Sequence, residues 1–190
     1  SAAAATSASL SPASSALASA QYRGETVVVG SVGAGANRQA AAWISSSPGA
    51  AFAPVSVPLT GGPSGMSLVA AGALGLFATG TVDGRLAVWS STDGRLWQEQ
   101  PGAEKVIITT GGAQVTALLA EGDTVYAAGS VGHGAAQAAA VWATTDGLHW
   151  HPVTTAATAF AGPAVLVIYS LAPLGNGRVA GGALNRGTGW

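Results

Sequence analysis

The feature that most constrains the fold of this chain is a short motif that occurs twice almost unchanged. Residues 87–97 read Ala-Val-Trp-Ser-Ser-Thr-Asp-Gly-Arg-Leu-Trp, and residues 140–150 read Ala-Val-Trp-Ala-Thr-Thr-Asp-Gly-Leu-His-Trp. A weaker copy at 42–52 has one extra residue, Pro48 in place of Asp and Phe52 in place of the closing Trp. Each copy predicts an apolar strand, a turn and a second strand that ends in an aromatic residue.

A second regularity spans the chain. Gly30, Gly80, Gly129 and Gly182 lie 50, 49 and 53 residues apart. Each glycine falls in the second of two consecutive apolar strands, which a short turn separates. The pattern places these strand pairs at 16–22 and 25–32, 66–72 and 76–82, 115–121 and 124–131, and 168–174 and 178–184. A loop of variable length then leads to the Trp strand, so each complete unit has four short strands in meander order.

Four antiparallel strands per unit of about 50 residues are typical of a β-propeller blade. Because neighbouring blades cover both faces of a blade, the side chains on both faces of its strands should be mostly apolar. Residues 27–29 and 125–128 fit this expectation. The sequence therefore predicts an all-β chain of about three and a half blades, which is a partial ring. We place the blades at about 14–57, 66–101, 114–153 and, incomplete, 165–190. The joints at 58–65, 101–113 and 154–164 are rich in Gly and Pro or Thr and Ala, and no helical periodicity is expected in them.

Composition limits the partners and the location. Only 8% of the 190 residues are charged and the net charge is −1, which argues against nucleic acid as a partner because phosphate binding needs a basic surface. The sequence has no apolar run long enough to predict a membrane span. Residues 1–13 are almost entirely Ala, Ser and Thr, and we expect a flexible tail there. Such tails often follow a signal peptide or a lipid anchor, so an extracellular or cell-envelope location is expected, and a lipid anchor stays possible.

The turn motif resembles the Asp-box, or bacterial neuraminidase repeat, Ser-x-Asp-x-Gly-x-x-Trp. Residues 91–97 and 144–150 match it with one residue fewer between Asp and Gly, and so look like the variant repeats of actinobacterial propeller proteins. The turn itself implies structural roles: Asp accepts hydrogen bonds from turn amides, Gly takes a positive φ, and Trp packs between sheets. The residues with these roles are Asp93, Gly94, Trp97, Asp146, Gly147 and Trp150.

Sialidases share this repeat, and the resemblance implies an arginine triad, a Tyr–Glu nucleophile pair and an Asp acid. The family's Arg-Ile-Pro signature is absent, and no Glu or Asp accompanies Tyr169 on its predicted strand. We therefore name no catalytic residue and no cofactor. His149 and His151 flank Trp150 and, if they lie on a strand, point to one face. With His133 they are weak candidates for metal ligands.

Two classes of function remain. The poverty in ionisable groups favours a non-enzymatic propeller that binds a protein partner or serves as an accessory module of the envelope or exterior. The alternative is a glycan-binding or sialidase-like glycan-processing propeller. Because the fourth unit has its first two strands and then only Trp190 of the next, we expect the remainder of the propeller in a continuation, a cleaved fragment or a second chain.

Overall fold

The strands follow the predicted repeat closely. The computed structural model describes residues 14–58, 61–108, 112–133, 137–153, 165–174 and 177–185, so the predicted tail at 1–13 lies outside the described residues. The first unit is β1 (Ser14–Tyr22), β2 (Glu25–Val32), β3 (Gln39–Ser45) and β4 (Ala53–Pro54). The second is β5 (Ser64–Gly72), β6 (Gly75–Val82), β7 (Arg85–Ser91) and β8 (Gln98–Glu99). The third is β9 (Gln114–Glu121), β10 (Thr124–Val131), β11 (Ala138–Thr144) and β12 (His151–Pro152), and the fourth has β13 (Val165–Leu174) and β14 (Gly177–Asn185).

Each of the first three units is a four-stranded antiparallel sheet in chain order, and β13 pairs with β14 in a separate sheet. We call these sheets blades 1 to 4. The first strands of the blades lie side by side in the order β1, β5, β9 and β13. The prediction of an all-β partial propeller is therefore confirmed. Among the described residues, none of the helices reaches the length and apolarity that a bilayer crossing needs.

One joint differs from the prediction. Residues 101–113 were expected to be irregular, but Pro101–Ile108 forms a helix, α1. Pro101 suits the first helical position, where the missing N–H has no intrahelical partner to lose. Ala103 and Ile107, four residues apart on one helix face, are both 0% exposed and pack into the core between blades 2 and 3. Two apolar residues over two helical turns are too short a pattern to distinguish a helix from a loop in the sequence.

The four spaced glycines have a common structural cause. Opposite each one, the first strand of the blade carries one extra residue, a β-bulge. The extra residues are Leu17, Ser67, Thr116 and Tyr169. A Cβ on the glycine would collide with a carbonyl oxygen of the bulged strand, namely that of Ser15, Gly65, Gln114 or Val167. The spacing of about 50 residues in the sequence is therefore the spacing of one backbone contact per blade.

Apolar side chains join neighbouring blades. Between blades 1 and 2, Val27 and Ile44 pack with Trp89 and Trp97. Between blades 2 and 3, Phe77 and Val88 pack with Trp142 and Trp150. A smaller cluster of Ala117, Ala128 and Ile168 lies between blades 3 and 4. Trp89 and Trp97 are 0% exposed and Trp142 and Trp150 are 3% exposed, so all four indoles lie between sheets as the sequence predicted.

The bulge contact predicts that Gly80→Ala destabilises the protein by about 3 kcal/mol or more, because the new methyl group cannot avoid the Gly65 carbonyl without shifting a strand. Chemical denaturation followed by circular dichroism measures the change. The matched control is Gly61→Ala, where the added Cβ meets no atom within 4 Å, and the expected effect is within about 0.5 kcal/mol. Equal effects of the two substitutions would contradict the role assigned to the bulge.

A second prediction concerns the blade interface. Trp97→Ala should lower the free energy of unfolding by about 3–5 kcal/mol, because it leaves a cavity between blades 1 and 2. The neighbouring Leu96 is 54% exposed, so Leu96→Ala should change the free energy of unfolding by less than about 0.5 kcal/mol. Urea denaturation of both variants gives the comparison. A Trp97→Ala variant as stable as Leu96→Ala would show that the indole does not join the blades.

Candidate functional site

The turn between β7 and β8 holds itself together through two side chains. Asp93 Oδ1 accepts hydrogen bonds from the backbone N–H groups of Arg95 and Leu96, at 2.8 and 3.0 Å. Ser91 Oγ accepts a hydrogen bond from Gly94 N at 2.9 Å. Gly94 has φ +74°, a left-handed conformation that glycine adopts without steric cost. The sequence predicted an Asp that accepts hydrogen bonds from turn amides, and Asp93 accepts two.

The turn between β11 and β12 repeats the arrangement. Asp146 Oδ1 accepts hydrogen bonds from Leu148 N and His149 N, both at 2.8 Å, and Thr144 Oγ1 accepts one from Gly147 N at 2.9 Å. His149 Nδ1 lies 2.6 Å from Asp146 Oδ2. The Asp146 carboxylate therefore stabilises its own turn through Oδ1 and contacts the His149 imidazole through Oδ2.

The weaker copy in blade 1 closes by a different route. Ser45, the equivalent of Ser91 and Thr144, has its Oγ 3.0 Å from the backbone oxygens of both Ser47 and Ala50, and its single O–H donates to these carbonyls. Phe52, in the place of the closing Trp, is partly buried.

The β7–β8 turn is also where blade 2 meets blade 1. A Cβ on Gly94 would approach Val27 and Ile44 of blade 1 to 3.2 and 3.3 Å. Arg95 Nη2 lies 2.6 Å from Glu25 Oε1 at the start of β2. These contacts show that the turn packs against the preceding blade.

The chain on either side of this contact adds hydrogen bonds between the two blades. The Tyr22 hydroxyl, on β1, donates to the Thr92 carbonyl oxygen at 3.0 Å. Ser56, which follows β4, donates through N to Arg95 O at 3.0 Å and accepts at O from Trp97 N at 3.1 Å. In the next blade, Gly147 lies against Phe77 of blade 2, whose ring also meets Trp150 edge to face at a centroid distance of 6.4 Å. The same docking of turn on blade therefore recurs between blades 2 and 3.

Electrostatics of the turns follow from these hydrogen bonds. The backbone N–H groups of Leu96 and Arg95 lower the pKa of Asp93. In the other turn, the His149 N–H, followed by the His149 side chain and the Leu148 N–H, holds the pKa of Asp146 far below its ordinary value. Both aspartates are therefore ionised acceptors at neutral pH, and neither is poised to donate a proton.

The depressed pKa of Asp146 predicts a pH dependence. Because the folded protein binds the proton more weakly than the unfolded chain, the contribution of Asp146 to stability is complete above its ordinary pKa of about 4. It is lost as the pH falls further, toward the lower folded-state pKa. Denaturation of the wild type and of Asp146→Asn between pH 7 and pH 3 should give a difference in unfolding free energy that is constant above about pH 5 and narrows below pH 4. A difference that does not change with pH would mean that the carboxylate charge has no part in the turn.

A groove lies at the opposite ends of the sheets from these turns. Its volume is about 420 Å³, and it runs between blades 2 and 3 beside the start of β9. Its polar lining includes Ser67, Thr81, Gln114, Thr116 and His133. A smaller hollow of about 150 Å³ between blades 1 and 2 shares Ser67 and Thr81 with it and adds Arg38. Such a surface can offer hydroxyl, amide and imidazole groups to a polar molecule.

The three histidines do not come together. His133 follows β10 and lines the groove, whereas His149 and His151 lie beyond the far end of β11. The seven residues of β11 span about 20 Å. The sequence predicted a second strand that ends in Trp150, and such a strand would include His149. That prediction is wrong, because His149 lies in the turn and bonds Asp146, and β12 begins only at His151. Within the described ranges, no cluster of three or more His, Cys, Asp or Glu side chains could hold a metal ion.

Several charged side chains join blades, in roles that the sequence did not predict. Arg178 of β14 pairs with Glu121 of β9, at 2.9 Å, and its guanidinium lies 4.0 Å from the centre of the Tyr126 ring. Arg95 and Glu25 form an ion pair between blades 1 and 2. A signal existed: Glu25 is the first residue of β2 and Arg178 the second residue of β14, so each follows the hairpin turn of its blade.

No protein-family model and no curated protein matches the chain. Solved structures that are similar include a candidate glycosidase from Bacteroides thetaiotaomicron, with 19% identity over 74% of this chain and a TM-score of 0.46. A candidate glycoside hydrolase from Bacteroides ovatus has 17% identity over 74% of this chain and a TM-score of 0.48. The chain spans about half the length of each, 50% and 49%. At these identities the likeness gives no information on the activity of this chain.

Proposed function

We propose that this chain is a non-enzymatic propeller module that binds a protein partner at the bacterial cell envelope or exterior. The observation that carries the proposal is the use of its few charged groups. Asp93 and Asp146 bond their own turns, and the Arg95–Glu25 and Arg178–Glu121 pairs join blades. These side chains serve the scaffold, and a scaffold of rigid blades that presents loops is a common basis for protein recognition.

The same proposal includes two expectations from the sequence. The turns at 91–97 and 144–150 are variants of the Asp-box, and the location outside the cytoplasm rests on the composition of residues 1–13.

A second candidate function is glycan binding in the groove of about 420 Å³. The observation in its favour is the lining, because Ser67, Thr81, Gln114 and His133 supply donors and acceptors of the kind that hydroxyl groups of a sugar need. The candidate is weaker, since the described residues that line the groove include no Trp, Tyr or Phe ring on which a sugar could stack.

The two functions separate in paired binding assays. Immobilised chain is expected to capture a protein from an envelope extract of its source, and that protein, once purified, should bind in titration calorimetry with a dissociation constant of micromolar or tighter. A glycan array is expected to show no specific signal. The groove variants Gln114→Ala and His133→Ala supply the control and should leave protein binding unchanged if the partner does not enter the groove.

The opposite result in the two assays would favour glycan binding over protein binding. Array binding that both groove variants abolish, together with no purified protein that rebinds, would overturn the protein-interaction proposal. Unchanged thermal unfolding of the two variants is required in either case, so that a loss of binding is not a loss of fold.

A further inference from the structure

The chain contains three Asp-Gly pairs, at residues 83–84, 93–94 and 146–147. Such a pair has an intrinsic reaction in water, in which the backbone nitrogen of the glycine attacks the side-chain carboxyl carbon of the aspartate and closes a succinimide ring. Glycine favours the attack because it has no side chain that obstructs its nitrogen. In a folded protein the rate depends on how firmly the structure holds the carboxyl group and the amide of the pair.

Two of the pairs are held at both reacting groups. In the β7–β8 turn the Gly94 N–H donates to Ser91 Oγ, and in the β11–β12 turn the Gly147 N–H donates to Thr144 Oγ1, both at 2.9 Å. The aspartate of each turn accepts hydrogen bonds from two further backbone N–H groups, at distances between 2.8 and 3.0 Å. Closing a succinimide ring in either turn would therefore disrupt the hydrogen bonds that hold the turn.

The same hydrogen bonds suppress the reactive form of the acid. The attack expels a carboxyl oxygen as water, so it draws on the protonated carboxyl group. The N–H groups of Leu96 and Arg95 lower the pKa of Asp93. The N–H and the side chain of His149 hold the pKa of Asp146 far below its ordinary value. At neutral pH both turns therefore contain very little of the protonated acid.

The third pair lacks this protection. Asp83 and Gly84 are the two residues between β6 and β7, where Val82 pairs with Arg85. Both are exposed, and among the described residues neither the Asp83 carboxylate nor Gly84 N has a hydrogen-bond partner. The Asp83 N–H donates to Pro63 O at 2.8 Å, which leaves both reacting groups unbonded. Asp83 also has φ +50°, a left-handed conformation that costs an L-residue more than glycine.

We infer that the Asp83–Gly84 turn is a site at which the folded chain converts spontaneously from an aspartyl to an isoaspartyl linkage. Gly84 N forms a bond to Asp83 Cγ, and the amide proton and the carboxyl hydroxyl leave together as water. One water molecule then adds to either carbonyl of the ring. Addition at the side-chain carbonyl restores aspartate, and addition at the main-chain carbonyl leaves the chain running through the side chain. The product has the same atoms as the reactant, and water is the only co-reactant.

The isomer changes the geometry of the turn. It lengthens the main chain by one methylene carbon, and a two-residue turn cannot take up that carbon without altering the pairing of Val82 with Arg85. Gly84 also lines the groove between blades 2 and 3. The reaction therefore alters one wall of the groove with age, whatever the chain binds, and the inference does not depend on the proposed function.

Trypsin separates the three pairs for the test. Asp83 is the only Asp or Asn in peptide 39–85, and Asp93 is the only one in peptide 86–95. Peptide 106–178 contains Asp146 together with Asn176, which precedes a glycine and gives isoaspartate on deamidation. Fragmentation of that peptide in the mass spectrometer assigns its product to one residue or the other.

The full chain is kept folded at neutral pH in buffer made with oxygen-18 water, and is then digested in ordinary water. Peptide 39–85 should accumulate an isoaspartyl form that carries one solvent oxygen. Its rate should exceed the rates at Asp93 and Asp146 by roughly tenfold or more, because hydrogen bonds hold the reacting groups of the other two pairs. In the urea-unfolded chain the three pairs should react at similar rates.

Variants test the cause of the difference. Asp83→Gly removes the reacting carboxyl and keeps a residue suited to a positive φ, so the isoaspartyl form of peptide 39–85 should disappear. Ser91→Ala and Thr144→Ala release the glycine amides of the other turns, and each should raise the rate at the aspartate of its own turn.

Equal rates at the three pairs of the folded protein, or a faster reaction at Asp93 or Asp146, would overturn the inference. So would the absence of product at Asp83 over a period in which the unfolded chain reacts. If Ser91→Ala or Thr144→Ala does not fold, the comparison of the folded and unfolded wild type still decides.

Discussion

The structure depends on one backbone contact that every blade repeats. The first strand carries an extra residue, and its displaced carbonyl occupies the space in which a Cβ of the second strand would lie, so only glycine fits at Gly30, Gly80, Gly129 and Gly182. A bulge raises the local twist of a strand pair. Because the bulge lies at the same place in β1, β5, β9 and β13, the innermost strands share one local distortion, and successive sheets can pack in the same relation. The blades are alike because this contact is alike.

The packing of blade on blade then follows from the Trp strand and its turn. The turn is fastened by Asp and by Ser or Thr to its own amides, which fixes where the closing Trp enters the sheet interface. Once the turn is rigid, its glycine rests on the preceding blade, and Arg95 reaches Glu25. Blade 1 has Pro48 in place of Asp, its Ser45 hydroxyl donates to carbonyl oxygens of the turn, and its Phe52 is less buried than Trp97 or Trp150. The hydrogen bonds of the polar turn thus position the Trp that packs in the apolar interface between blades.

The sequence predicted what repeats and missed what occurs once. Strand pairs, glycine spacing and Trp burial recur in several units, so aligning the units distinguishes a structural pattern from a biased composition. Each of the eight predicted strands in the four pairs is observed, with both ends within three residues of the prediction. Helix α1 has no counterpart in the other joints, and its apolar signal is only Ala103 and Ile107. The groove is lined by residues of β5, β6 and β9 and by His133. These residues are distant in the sequence, so no local sequence pattern predicts that they come together. The strand predicted to end in Trp150 begins only after it, because the amide and ring of His149 bond Asp146 in the turn, and the spacing of the residues does not reveal these hydrogen bonds.

The composition also finds its reason in the architecture. With only 8% charged residues, the chain would lack a conventional charged surface, but a blade between two neighbours needs little of it. Small residues such as Ala40, Ala78, Ala87 and Ala127, all nearly or fully buried, let sheets approach closely enough for each indole to fill the remaining space.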